Sequence, residues 1–318
     1  DSLTFTLDQK VIDTVYKTFE RLWHDGLIYR GEKLVNYCTK HQTAFADIEV
    51  THKDEKGKLW RISYPLVNPK DGITDIVVST TRPETMLGDT AIAVNPKDER
   101  YQNIIGEKVK LPLTDREIPI IADEHADMSY GTGAVKITPA HDPNDYEVAQ
   151  RHNLEMITVI GFDGRMNDKA GANYEGLTTE ECRKKILNNL DNNGYHRGDE
   201  QSTHPVGHCY KCDTVIEPLL KEQWFINVKP LAERAIKVLN ENKIKFHPAS
   251  KKKALINYLK NIRDWNISRQ IPWGIPIPAF KNAEDPTDWI FDTRVNEEEI
   301  EIGGKKYLRD NDTFDTWF

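Results

Sequence analysis

Gly131-Thr132-Gly133-Ala134-Val135-Lys136-Ile137-Thr138-Pro139-Ala140-His141-Asp142-Pro143-Asn144-Asp145-Tyr146-Glu147 reads as a strand that turns sharply into a helix. Val135 and Ile137 alternate with Lys136 and Thr138, the two-residue period of a strand with one buried face. Asp142 stands at the N-cap, Pro143 at the first helical position and Asp145 in the first turn. Free backbone N–H groups and the helix dipole favour ionised carboxylates there, so both pKa values are expected to fall. A fixed pair of anions beside Lys136 and Thr138 suits a ligand that carries an ammonium and several hydroxyls. The plainer reading is a well-capped helix after a strand.

A second stretch works with the first. Ser79-Thr80-Thr81-Arg82-Pro83-Glu84-Thr85-Met86-Leu87-Gly88-Asp89-Thr90-Ala91-Ile92-Ala93-Val94 carries a strand into a hydroxyl-dense turn, where Pro83 stops it and holds Arg82 extended. Hydroxyls and a guanidinium near a carboxylate pair could hold a sugar, a phosphate and an amino acid. Ser and Thr also cluster in turns for purely local hydrogen bonding.

The 318 residues exceed what one hydrophobic core serves, so two or three domains are expected. With 38% hydrophobic and 30% charged residues the chain fits a soluble globular protein. It has no apolar run near the roughly 18 residues of a membrane span. Asp1 to Thr6 lacks the basic start and apolar core of a signal peptide. A cytoplasmic setting follows, with Cys38, Cys182, Cys209 and Cys212 as thiols or metal ligands and not disulfides. Net charge is -8, yet residues 229–270 hold eleven Lys or Arg against three acidic residues. A basic surface of this kind is either a nucleic-acid footprint or a solvated helix face.

Around these stretches, Val11, Val15, Phe19 and Leu22 mark an amphipathic helix over 7–25, with Thr6 and Gln9 as a capping box and Gly26 as its stop. Leu59–Tyr64 and Ile76–Ser79 read as strands, Lys53–Lys58 and Pro69–Gly72 as turns. Short strands are expected at 91–94, 109–111, 118–121, 133–137 and 156–160, and a helix from Thr178-Thr179-Glu180-Glu181 to about Leu190. Cys182 on that helix reads as a small buried apolar residue. Helices return at 230–240 and 250–261, where Ser250 can cap. The middle region is thus a compact barrel-like domain decorated by helices.

The two motifs together resemble the editing domain of class I aminoacyl-tRNA synthetases. Thr80-Thr81-Arg82-Pro83 and Pro139-Ala140-His141-Asp142 are similar to runs in leucyl members. Arg82 to Met86 with Ala91 to Val94, and Lys136-Ile137-Thr138 ahead of Pro139, resemble the valyl pattern more closely; the isoleucyl pattern puts a Trp near position 84. The flanks match in order: Gly26 to Gly31 and Asp47 to Val50 before, then Ile216-Glu217-Pro218, Gln223-Trp224-Phe225, Trp265 to Gln270, Trp273-Gly274 and Asp315 to Phe318 after.

The resemblance implies an α/β protein in which a barrel-like editing domain (51–200) is inserted into parts of a Rossmann-type synthetic domain (1–50 and 201–318). The last part would carry a zinc half-site and the helical basic region. Cys38-x2-His41 and Cys209-x2-Cys212 are spaced to close a Cys3His zinc knuckle, because an inserted domain leaves and re-enters its scaffold at nearby points. His204 and His208 leave the fourth ligand open, and unmetallated thiols are the alternative. Trp273 and Trp317 would belong to a partial amino-acid pocket of the synthetic site, or to core packing. No His-Ile-Gly-His-like or Lys-Met-Ser-Lys-Ser-like motif is present, so ATP and Mg are expected to serve only a longer parent enzyme that ligates valine to tRNA(Val).

The activity implied is hydrolysis of mischarged threonyl-tRNA(Val), with the acceptor end of tRNA(Val), threonine and valine as partners, no membrane, a monomeric state and no cofactor for the hydrolysis. Valine and threonine are nearly isosteric, so a pocket that accepts one cannot strongly exclude the other and a second site must sort them. By similarity Asp142, assisted by Asp145, anchors the substrate ammonium. Thr138 and Lys136 meet the threonine side chain and terminal ribose. Thr80, Thr81, Arg82 and Thr85 form the facing wall, Tyr130 flanks the adenine, and His141 is either a general base or a brace. Alternatives are an isoleucyl or leucyl editing region, a metal-dependent hydrolase built on His141, Asp142 and Asp145, and a non-catalytic tRNA-binding fragment.

Overall fold

The computed structural model describes residues 3–318. They form two compact units: residues 3–33, 43–46 and 221–318 make one, and residues 34–42 and 47–220 the other. Among the described residues the α-helices are α1 (Gln9–His24), α2 (Pro143–His152), α3 (Thr179–Asn192), α4 (Lys229–Asn240) and α5 (Ser250–Lys260). None is long and apolar enough to cross a membrane.

The larger unit is built on a seven-stranded sheet. Its order is Ile73–Thr80, Val50–Lys70, Lys108–Lys110, Glu117–Ala122, Ala91–Val94, Ala134–Ile137, with His196–Cys209 paired to Val50–Lys70 off this path. The first and last strands of that order pack against each other, so the sheet is a nearly closed barrel. The expected mixed α/β, barrel-like fold is therefore present. In Ile73–Thr80 the side chains of Ile76, Val78 and Thr80 are buried while Thr74, Val77 and Ser79 stay accessible, the period of a strand with one inward face. Ala91–Val94 is buried along its whole length. Its small residues let α2 close in: Ala91, Ala93, Ala126 and Ile137 pack with Val148 of that helix. Full burial of Ile137 and Val148 contributes about 1.5–3 kcal/mol each.

Several local expectations change. Lys53–Lys58 is no turn: it lies within Val50–Lys70, paired residue for residue from Lys53↔Val206 to Lys58↔Gln201. Its charges fit a strand because the ribbon is exposed on both faces. Residues 156–160 form no strand, only a bridge from Ile160 to Met166. The turn at 69–72 is present, with Asp71 and Gly72 at positive φ of 50° and 79°, the left-handed pair that a two-residue hairpin needs. The capping box at Thr178 and Glu181 is formed in both directions.

In the smaller unit, α1 buries Tyr16 and Phe19 against Trp224, Ile267 and Phe314. Phe19 meets Phe314 edge-on with ring centres 5.4 Å apart, a geometry favoured by the ring quadrupoles. The N-cap of α1 is Asp8 and not Thr6, and it has no side-chain cap bond. Gly26 follows α1 at φ 68°, as its stop. Ala249, not Ser250, precedes α5, and α5 buries none of its residues. Residues 279–309 form a four-stranded antiparallel sheet that the sequence pattern had not suggested.

Candidate functional site

The helix mouth in the larger unit is built as its sequence indicates. Asp142 has extended backbone, Pro143 opens α2, and the Asp142 carboxylate accepts from the N–H groups of Asn144 and Asp145 at 2.8 and 3.2 Å. Both bonds go to Oδ1, so Oδ2 has no partner among the described residues. Asp145 departs from expectation. Its carboxylate accepts from Thr138 N at 2.8 Å and is 6% exposed. Burial first, and the neighbouring Asp142 second, push its pKa up to about 8. The first helical turn is not enough to keep an acid ionised once water is removed.

A stability consequence follows from the sign of that shift. Below about pH 4 folded and unfolded chains both hold the Asp145 proton. Between the ordinary value of 3.8 and about 8 only the folded chain holds it, so stability drains away as pH rises through this window. Asp145→Asn should therefore melt higher than the parent by a margin that widens from pH 4 to pH 8, to the order of several degrees. Thermal melts across that range check it, and a constant margin would contradict the assignment.

Lys136 and Thr138 converge on a residue that neither motif singles out. Asp89 is fully buried, and its Oδ1 accepts from Lys136 Nζ at 3.2 Å and Thr138 Oγ1 at 2.5 Å, while Oδ2 accepts from Tyr64 OH at 2.8 Å. Burial pushes the Asp89 carboxyl up, against the pull of Lys136 and the hydroxyl donors. Lys136 also donates to Thr85 Oγ1 at 2.9 Å and Thr138 Oγ1 at 2.5 Å, so its three N–H groups are all engaged. Arg116 braces the turn below by donating to the carbonyls of Leu87 and Asp89. The sequence signal for Asp89 was slight: one carboxylate entering an apolar run, Ala91 to Val94, that could only be an interior strand.

On the facing stretch, Arg82 is clamped. It donates to Glu84 at 3.1 Å and Glu217 at 2.6 Å, and Glu84, itself fully buried, takes a further fork from Arg183 of α3 at 2.8 and 2.9 Å. The guanidinium therefore ties the turn to its surroundings before it can meet any ligand. Thr80 accepts from Arg82 N and Thr85 donates to Arg82 O, both at 3.0 Å. The Thr81 hydroxyl alone of the three makes no hydrogen bond among the described residues. Tyr130 is 55% exposed on the loop before Ala134–Ile137.

His141 is a brace. It is 2% exposed, its Nε2 accepts from Val159 N at 2.9 Å, and its proton therefore sits on Nδ1, which faces the Pro218 carbonyl at 3.3 Å. Burial, helped by Arg82, pushes its pKa down to about 3. With both ring nitrogens committed it can neither act as a general base nor join Asp142 and Asp145 around a cation.

Cys38, His41, Cys209 and Cys212 meet in the same unit, with their ligand atoms all within 4.8 Å of one another. Cys38 Sγ lies 3.7 Å from Cys212 Sγ, and His41 Nδ1 lies 3.5 Å from both Cys38 and Cys209. Thiolates bound tetrahedrally at 2.3 Å sit about 3.8 Å apart, so the four residues could hold such an ion. Of the histidines that the sequence left open, His41 is the one grouped with the three cysteines; His204 and His208 lie outside the group, and His208 spends its ring nitrogens on Asp213 O and Glu55 at 2.8 and 2.9 Å. Cys182 is buried on α3, as expected. In the smaller unit Trp273 and Trp317 are 78% and 65% exposed, so neither is a core residue.

Comparison with known proteins adds a lineage. The family model described as tRNA synthetases class I (I, L, M and V) matches residues 1–318. The valine–tRNA ligase of Petrotoga mobilis is 49% identical over 316 residues, which is 99% of this chain and 35% of that protein. That of Thermotoga maritima is 48% identical over 318 residues, 99% and 36% respectively. The chain thus spans about a third of the length of these relatives. A solved ternary complex of Agrobacterium radiobacter K84 agnB2 LeuRS, tRNA and LeuAMS aligns over 98% of this chain and 43% of that one, at 16% identity and a TM-score of 0.36, too loose to bear on the fold.

Proposed function

This chain belongs to the class I tRNA synthetases, and we propose that residues 51–200 are an editing domain that hydrolyses threonyl-tRNA(Val) at the ester to the terminal adenosine, set between parts of a synthetic domain at 1–50 and 201–318. The observation that carries this reading is the pairing of a helix-mouth carboxylate having a free oxygen, Asp142 Oδ2, with a buried cluster of hydroxyls around one ammonium, Lys136. The first suits the substrate's ammonium. The second suits its side chain.

Selection follows from the saturation of Lys136. A threonyl hydroxyl entering among Lys136, Thr138 and Thr85 can take over one of their hydrogen bonds. A valyl methyl in that place leaves a buried donor unpaired, which costs about 1–3 kcal/mol. Thr80 and Thr81 border the ribose, Arg82 holds their turn in place, and Tyr130 flanks the adenine. Water is the nucleophile; placement beside the fixed ammonium and the neighbouring ribose hydroxyl supplies the rate. Incubation of the chain with threonyl-tRNA(Val), with and without chelator, tests this: equal threonine release in both is expected, and release abolished at once by chelator would favour a metal-dependent hydrolase instead.

The acceptor end of tRNA(Val) is the macromolecular partner in this reading, and α5, unburied and carrying Lys251, Lys252, Lys253 and Lys260, is a surface that suits phosphates. Zinc is the ion that fits three thiolates and an imidazole. Elemental analysis should find one zinc per chain, and its slow removal should lower the melting temperature of the larger unit by on the order of 10 °C. A metal-free chain with unchanged melting would contradict it. Synthesis of valyl-tRNA from valine, ATP and Mg belongs to the longer relatives' machinery.

A further inference from the structure

The loop Asp127–Gly133, which leads into the strand carrying Lys136, is held from several sides. Within it, Asp127 Oδ1 accepts from Ser129 N and Oγ at 2.8 and 2.6 Å, and Gly133 N donates to Tyr130 O at 3.0 Å. From outside, Tyr101 OH donates to Thr132 O at 2.8 Å, and Arg100 Nη2 donates to Met128 O at 3.1 Å. Arg100 is itself aimed by Asp98, a carboxylate 5% exposed that takes its Nε and Nη2 at 2.8 and 2.5 Å.

Two glycines make this closeness sterically possible. Gly131 is at φ +58°, and a Cβ there would lie 2.8 Å from the Cβ of Ser79, the residue just before Thr80 and Thr81. Gly133 is at φ +79°, and a Cβ would lie 2.4 Å from Arg100 Nη2. Yet the side chains this rigid loop presents, Met128 and Tyr130, are 46% and 55% exposed. A fixed backbone under exposed apolar side chains is what a stacking platform requires, because the cost of ordering the loop is met before the base arrives.

We propose that Arg100 and Tyr101 are positioning residues that fix the 127–133 loop and so hold Tyr130 ready to stack on an unpaired nucleobase at the aminoacyl end. This rests on the reading above that Tyr130 meets the terminal base. Neither residue touches the substrate; each acts through the loop. Gly131 runs close beside Ser79, which places the platform next to the Thr80–Arg82 wall.

The test uses the whole chain and the variant Tyr101→Phe, which deletes only the donor, alone and in a Tyr130→Ala background. Three quantities are read: hydrogen exchange of the loop amides, Kd for an RNA minihelix ending in CCA, and KM and kcat for threonyl-minihelix hydrolysis. Tyr101→Phe should speed exchange at 128–133 and raise Kd and KM about fivefold, the worth of one hydrogen bond, with kcat within about twofold. In a Tyr130→Ala background the same change should leave Kd unaltered, since the platform's ring is already gone. Unchanged Kd despite faster exchange, or an equal loss in the Tyr130→Ala background, overturns the proposal. A chain that binds the minihelix but never hydrolyses it removes the editing reading, while the Kd cycle still decides the loop's role.

Discussion

Asp89→Asn is expected to cost the larger unit about 3–5 kcal/mol and to slow threonyl-tRNA hydrolysis about a hundredfold. Asp89 is the one carboxylate that meets Lys136, Thr138 and Tyr64 together, and it is wholly shielded from water. Asparagine keeps the shape but leaves the Lys136 ammonium buried without its anion, and breaking a buried pair from one side is the expensive way to break it. The amide keeps only one acceptor oxygen where aspartate has two, so Thr138 and Tyr64 cannot both keep theirs and the cluster rearranges, and displacement of about 1 Å at a reacting centre is enough for a hundredfold loss. Calorimetry should show melting lower by on the order of 10 °C. A variant that melts with the parent and hydrolyses at its rate would show that the network is ornamental.

Asp142→Asn should separate charge from structure. Alanine at this position would remove both the anion and the cap on Asn144 and Asp145, and the cap alone is worth about 1 kcal/mol. Asparagine caps as well as aspartate, so α2 should stay intact and the melting temperature should move by no more than about 2 °C. Hydrolysis should nonetheless fall by about a hundredfold, because a charge-assisted grip on the substrate ammonium has become a neutral one and the ester drifts from its attacking water. Parental rates in Asp142→Asn would remove Asp142 from the anchoring role and leave it as a cap.

What could be read in the chain was whatever is encoded locally. The strand and cap of residues 134–145, the Thr178–Glu181 box and the Asp71-Gly72 turn each rest on residues within a few positions of one another, and all are formed. Burial and long-range pairing were not legible. Lys53–Lys58 looks like a turn until residues 201–206 are laid beside it. Asp145 looks like a first-turn anion until the barrel closes over it and lifts its pKa to about 8. The partners of Arg82, namely Glu84 and Glu217, lie 2 and 135 positions away. Only the fold shows that such a guanidinium is spent on holding a turn. The two Cys/His pairs were legible as spacing, and their meeting, with His41 and not His208 in the group, required coordinates.

The helix mouth and the buried ammonium now divide the labour between them. In the proposed reading Asp142 offers a free carboxylate oxygen at the rim, and the buried Lys136–Asp89–Thr138 cluster is a set of hydrogen bonds in which every ammonium donor is already matched. Such a set would suit discrimination by a single hydroxyl, since a guest must replace a hydrogen bond or forfeit it.

The most direct test is the initial rate at which the purified chain releases threonine and valine from tRNA(Val) charged with each. Release of threonine at least about tenfold faster than valine is expected, from the cost of leaving one buried donor unpaired. Equal release of both, or no release above the spontaneous rate of the ester, would contradict the account.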